Sequence, residues 1–351
     1  MMIKVCLVFI LTTISASAYL DNIPKPDSVR WQEVFDAKYF KPADIEDLEK
    51  TLIKSPGNLR IRNMLIGYYA LKTLSSPVYI DSFARHIKWA VINEPLSEIH
   101  LYPLFVYEKM TSYPKSCGEV KKTWDYVIEK YNYRAAVVNS AMGFYIYTYP
   151  VKAERILKEA IKRNPNDGLL YYSLGMLYKF TLPKYRKTPP NWNEIFNVYR
   201  KAYECSKDNV ETGLYGNEFA RAAYNLGKLE MANELVLEIL DKTRKCGARC
   251  VDDRSQLHLL VGRIYLDKFR TDDAKSNLFK ALEGSPHKIL TASSECKYLL
   301  QGLLAKGEKD ATISFLRKCK EKKVDNFNMV DVYIDFIIRT GKLPEAFPGL
   351  N

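Results

Sequence analysis

Two stretches of this chain repeat one spacing of small, large, small and proline residues, and that spacing limits the possible folds more than any other feature. In AERILKEAIKRNP the residues are Ala153, Leu157, Ala160 and Pro165; in DDAKSNLFKALEGSP they are Ala274, Leu278, Ala281 and Pro286. Offsets of four and seven put the first three on one stripe of an α-helix. The small residues let a second helix approach closely, and the proline, lacking an amide donor, ends the helix. A partner helix precedes each. Gly262 and Tyr265 stand 12 and 9 residues before Ala274, and Ala141 and Phe144 keep the same distances before Ala153. From residue 30 onward nearly every segment shows helical spacing broken by short Asn, Asp, Gly and Pro loops, without a run of strand alternation. With 16 Gly and 16 Pro in 351 residues, the chain is poorer in turn formers than an average protein, which favours long helices.

The pattern resembles the tetratricopeptide repeat, a helical hairpin of 34 residues with small and aromatic anchors on its first helix and Ala, a large residue, Ala and Pro on its second. Leu174, Gly175 and Tyr178 fit it, as do Ala220, Gly227 and Ala232; Gly341 and Ala346 repeat the spacing of the turn. The step is 34 from Ala141 to Gly175, 45 from Gly175 to Ala220 and 42 from Ala220 to Gly262. The excess falls in two insertions, residues 181–194 and 245–253, and loop insertions leave the stacking of helix faces intact. The resemblance implies an all-α, right-handed helical-hairpin solenoid of irregular tetratricopeptide-like repeats. Residues 134–351 carry it best. Residues 40–133 read as degenerate repeats around Pro56, Gly67, Tyr68, Ala90 and Pro95, and residues 19–39 as an N-terminal extension.

Residues 1–18, MMIKVCLVFILTTISASA, combine one Lys, an apolar run of about ten residues and the small ending Ala16-Ser17-Ala18. This is the pattern of a secretory signal peptide cleaved after Ala18. The run is too short for a membrane span, and none follows later. The expected location is therefore periplasmic or secreted, and without an Asn-x-Ser or Asn-x-Thr site a bacterial source is favoured. The mature chain has 52 basic against 41 acidic residues, a net +11, and six cysteines. An exported chain with six cysteines permits disulfides, whose pairing the sequence leaves open. Repeat phase implies that Cys296, early in one helix, lies beside Cys319, late in the next, as a possible bridge. Cys246 and Cys250 could pair locally or reach Cys205.

Catalytic vocabulary is thin. There is no phosphate loop, nucleophile elbow or zinc signature, and His86, His100, His258 and His287 are scattered, so no cofactor and no metal are expected. Basic residues are interspersed with acids, which argues against nucleic acid, although contact with an anionic surface is compatible with the charge. The aromatic clusters around Phe144 to Tyr149 and Tyr171 to Tyr185 read as helix packing with some groove-lining members. In the resembled family, residues three before and one after the small anchor of each first helix line an inner groove. Those positions are Val138 and Met142, Tyr172 and Met176, Asn217 and Arg221, Leu259 and Arg263. The resemblance thus implies a non-enzymatic scaffold for a peptide or protein carrying an acidic group, gripped by Arg221 and Arg263, in envelope assembly or secretion. Reversing both arginines is expected to abolish capture without disturbing the fold. The alternative is an α/α-toroid enzyme acting on an acidic polysaccharide.

Overall fold

A computed structural model describes residues 31–101, 104–282, 294–322, 329–345 and 347. The signal segment, residues 19–30 of the extension, Pro286, His287 and Ala346 lie outside the described residues. Among those described, every regular element is helical. The chain forms two compact units that meet in sequence between Asn191 and Trp192, inside the first insertion.

The first unit contains α1 (Trp31–Asp36), α2 (Pro42–Lys54), α3 (Leu59–Ser75), α4 (Ile80–Asn93), α5 (Leu104–Met110), α6 (Pro114–Lys130), α7 (Ala135–Thr148), α8 (Pro150–Arg163), α9 (Gly168–Met176) and α10 (Leu182–Arg186). Hairpins α3/α4, α5/α6 and α7/α8 stack so that α3, α5, α7 and α9 follow one another in one layer, with α4 packed on α6 in the other. Sequence chemistry sets the boundaries. The Asn58 side chain accepts from Ile61 N at 3.1 Å to start α3, and Asp167 does the same for Leu170 N at 3.1 Å to start α9. Prolines 42, 114 and 150 occupy first turns, where their missing amide is not needed. A π-helical turn, Leu177–Thr181, leads into the first insertion and runs into α10.

The second unit contains α11 (Trp192–Glu204), α12 (Asn209–Asn225), α13 (Leu229–Lys242), α14 (Val251–Asp267), α15 (Thr271–Ala281), α16 (Ser294–Ala305), α17 (Lys309–Glu321) and α18 (Val330–Thr340). The hairpins are α12/α13, α14/α15 and α16/α17, and the first helices α12, α14 and α16 pack side by side. Gly227 (φ 74°) and Gly307 (φ 82°) form the turns inside two of these hairpins in the left-handed region that favours glycine. A Cβ on Gly262 would stand 2.9 Å from Leu299 Cδ2 of α16, which is why that anchor is small. The repeat anchors Ala141, Ala153, Leu157, Ala160, Ala220, Ala232, Ala274, Leu278 and Ala281 are all buried. The fold is thus an all-α array of tetratricopeptide-like hairpins.

The cysteines depart from expectation in one respect. Cys296 of α16 and Cys319 of α17 do share one apolar core, as repeat phase implies, but they stand there as thiols. Burial pushes both thiols up, Cys319 to about 12, so the thiolate that would form a bridge is suppressed. The disulfide present is the local one, Cys246 to Cys250, with Cα atoms 5.6 Å apart at the one-turn 3₁₀ helix Gly247–Cys250 of the second insertion.

Candidate functional site

The first helices of the second unit pack side by side, so side chains from α12, α14 and α16 meet in rows that cross them obliquely. One row is polar. Arg221 of α12 is ion-paired with Glu295 of α16, bonds Gln256 Oε1 of α14 at 2.9 Å and reaches Asn217 Oδ1 on its own helix at 3.0 Å. Further along the same helices runs a second row, cationic and aromatic. The Arg263 guanidinium of α14 lies 4.6 Å from the Tyr224 ring of α12 and 4.4 Å from the Tyr298 ring of α16. Tyr224 donates its hydroxyl to Asp267 Oδ2 at 2.5 Å, and burial with that bond pushes its phenol up to about 12. Tyr298 is 42 % exposed, so this row, unlike the first, meets solvent.

The eight residues expected to line one groove divide between the units: Val138, Met142, Tyr172 and Met176 in the first, Asn217, Arg221, Leu259 and Arg263 in the second. Val138, Met142, Tyr172, Met176, Asn217 and Leu259 are buried. They therefore do not form an open apolar surface, which corrects the sequence expectation. First helices pack directly on one another, and at these positions the side chains are enclosed. The polar link between α7 and α9, Ser173 Oγ to Asn139 Oδ1 at 3.1 Å, has the same character. Arg221 is likewise not available to a ligand, because its charge is answered by Glu295. Arg263 alone among the eight sits in a row that solvent reaches.

Two further members went unread. Tyr224 and Tyr298 carry no motif, and only the side-by-side placement of α12, α14 and α16 joins them to Arg263. Lys297 was readable in principle. It stands 15 residues before Thr312, as Asn217 stands before Ala232 and Leu259 before Ala274, but Thr312 in place of the small anchor Ala hides the phase.

The three described histidines are engaged in packing. Arg62 Nη1 donates to His86 Nδ1 at 3.2 Å, which fixes the tautomer whose Nε2–H faces Glu49 Oε1 at 3.0 Å. His100 Nε2 donates to Glu94 O at 2.8 Å, and His258 Nδ1 lies 3.0 Å from Asn277 Oδ1. Phe144 and Tyr145 are buried packing residues, whereas Phe180 of the π-helical turn and Tyr185 of the first insertion are exposed beside Lys179 and Lys184. Among the described residues no group of three His, Cys, Asp or Glu could hold a metal, and no helix is long and apolar enough to cross a membrane.

No protein-family model and no curated protein matches the chain. Similar solved structures include YrrB, a tetratricopeptide-repeat protein with an unusual peptide-binding site, at 13% identity and TM-score 0.40 over 61% of this chain and 97% of that one. They also include the human IFIT1 dimer with m7Gppp-AAAA, at 17% identity and TM-score 0.44, and an IFIT1 monomeric mutant with Gppp-AAAA, at 17% and 0.45. Both IFIT1 alignments cover 85% of this chain and 67% of the other. Likeness at this level says nothing of the site in this chain.

Proposed function

We propose that the second unit is a non-enzymatic docking surface for a peptide or protein segment, with the Tyr224–Arg263–Tyr298 row as its contact. The observation that carries this reading is the double stacking of Arg263. Two rings flank the guanidinium at low entropic cost, and it also bonds the Tyr224 hydroxyl; a segment that brings a carboxylate to its other donors and an apolar or aromatic neighbour to the rings suits it. Partner segments would therefore be acidic and aromatic rather than merely apolar.

The surface would act outside the cytoplasm, in envelope assembly or secretion. The signal-like residues 1–18 and the local Cys246–Cys250 bridge support that setting. N-terminal sequencing of exported material should begin at Tyr19. Docking itself is tested by panning a random peptide library on the mature chain, then measuring the enriched peptides against Arg263→Glu with Tyr298→Ala. The expected result is enrichment of acidic, aromatic peptides whose affinity falls at least about tenfold in the folded variant, corresponding to about 1.4 kcal/mol. Peptides that bind the variant as well as the parent would place docking elsewhere.

A further inference from the structure

Lys297 belongs by repeat phase with Asn217 and Leu259, and in the structure it is answered by the segment that follows α18. Its ammonium, on a residue only 3 % exposed, donates to the main-chain carbonyls of Glu345 and Phe347, each at 3.3 Å. The chain reaches this place because α18 ends at Gly341 (φ 69°) and turns back. Leu343 and Phe347 are then buried in the same apolar cluster as Leu299, Leu300, Leu303 and Phe315, with the Phe347 ring 5.0 Å from Tyr333. Glu345, between them, points to solvent.

These contacts have a particular chemistry. A buried ammonium must be satisfied, and here the acceptors are carbonyls that every peptide possesses. Selection comes from two apolar side chains four residues apart. Nothing in this set requires that the peptide be joined to Thr340. The same pocket and the same ammonium would receive any segment with a Leu-x-x-x-Phe pattern that can turn two carbonyls toward Lys297.

We propose that the pocket formed by α16, α17 and α18 around Lys297 is a second peptide-docking site, occupied in cis by the side chains of Leu343 and Phe347, for partner segments of the Leu-x-x-x-Phe type. It rests on the reading that this array of hairpins binds peptides, and it adds the class of sequence recognised and the reason the intact chain would bind it weakly. An occupied site lowers apparent affinity by the fraction of molecules in which it is open. A partner segment must therefore outcompete an internal one held at high effective concentration.

The experiment uses the mature chain and a fluorescein-labelled peptide GKLPEAF, the sequence of residues 341–347, read by anisotropy. In the Phe347→Ala chain, which removes the ring and weakens the hold of the internal segment, the peptide should bind at least tenfold tighter than in the parent. Peptide with Phe replaced by Ala should not bind, and adding Lys297→Met to the Phe347→Ala chain should remove binding. Should Phe347→Ala fail to fold by circular dichroism, a chain with a flexible Gly/Ser linker inserted after Lys342 keeps every contact residue and lowers only the effective concentration of the internal segment. Equal binding to parent and opened chains, or none to a folded opened chain, would overturn the proposal. Library peptides that still depend on Arg263 and Tyr298 under either outcome leave the first docking surface standing, so the two failures are separable.

Discussion

Arg221 and Glu295 are ion-paired from α12 to α16 with α14 between them, and their side chains keep only 11% and 13% of their exposure. Both charges are thus spent inside the array, as a tie across three consecutive first helices. Leaving one member of such a pair unanswered costs about 3 to 5 kcal/mol, because the remaining charge has lost most of its water. Arg221→Glu should therefore destabilise the second unit by that order in urea titration. The double exchange Arg221→Glu with Glu295→Arg should recover part of the loss. A variant Arg221→Glu that melts like the parent would show the pair to be idle, and it would restore the expectation that reversal leaves the fold intact.

What could be read from the chain follows a physical line. Ala153, Leu157, Ala160 and their counterparts were legible because one helix face repeats every 3.6 residues and closeness demands small side chains. The site was less legible because it is made between repeats. Arg221 and Glu295 are 74 residues apart, and no local pattern distinguishes an arginine paired across helices from one that faces a groove. Position within the repeat correctly placed Leu259 and Val138 on first helices. It could not say how deeply neighbouring helices would enclose them, since the degree of enclosure depends on the sizes of residues on other helices, such as Leu299 against Gly262.

Cysteine chemistry gives a second test. With Cys246 and Cys250 joined and Cys296 and Cys319 buried as thiols of raised pKa, native-state alkylation should label neither pair, for opposite reasons. After unfolding without reductant, Cys296 and Cys319 should label fully while Cys246 and Cys250 remain protected. A separation of four residues closes a small loop, so reduction should lower stability by only about 2 kcal/mol in the chain-entropy account. Peptide mapping that recovers Cys296 joined to Cys319 would contradict this arrangement.

Gly67 tests the close approach of helices in the first unit. A Cβ built there would meet the Val34 main-chain oxygen at 2.5 Å and Val34 Cγ1 at 2.8 Å. A side chain can rotate aside, but a carbonyl oxygen of α1 moves only with its helix. Gly67→Ala should therefore destabilise the unit by about 1 to 3 kcal/mol despite the better helix propensity of alanine. Removing Val34 Cγ1 in the same chain, by Val34→Ala, should recover little, because the backbone clash remains. Stabilisation by Gly67→Ala alone would mean that α1 does not sit where the structure puts it.

Buried histidines make the first unit sensitive to acid. Burial pulls His86 down to about 4, with Glu49 opposing and Arg85 and Arg62 assisting, and burial pulls His100 down to about 4 against its bond to the Glu94 carbonyl. Both are neutral in the folded chain at neutral pH, whereas in the unfolded chain each takes a proton near the ordinary value of about 6.5. Folded-state values below the unfolded value mean that the unfolded state binds more protons as pH falls. The stability owed to neutral His86 and His100 is therefore complete above about pH 6.5 and declines as pH drops toward 4. Each histidine contributes on the order of 3 kcal/mol over that range at most. Urea midpoints measured between pH 7 and pH 4.5 should fall steadily, and His86→Gln should flatten part of that slope by removing one titrating group. Midpoints that stay level through this interval would show that neither ring is held neutral by burial.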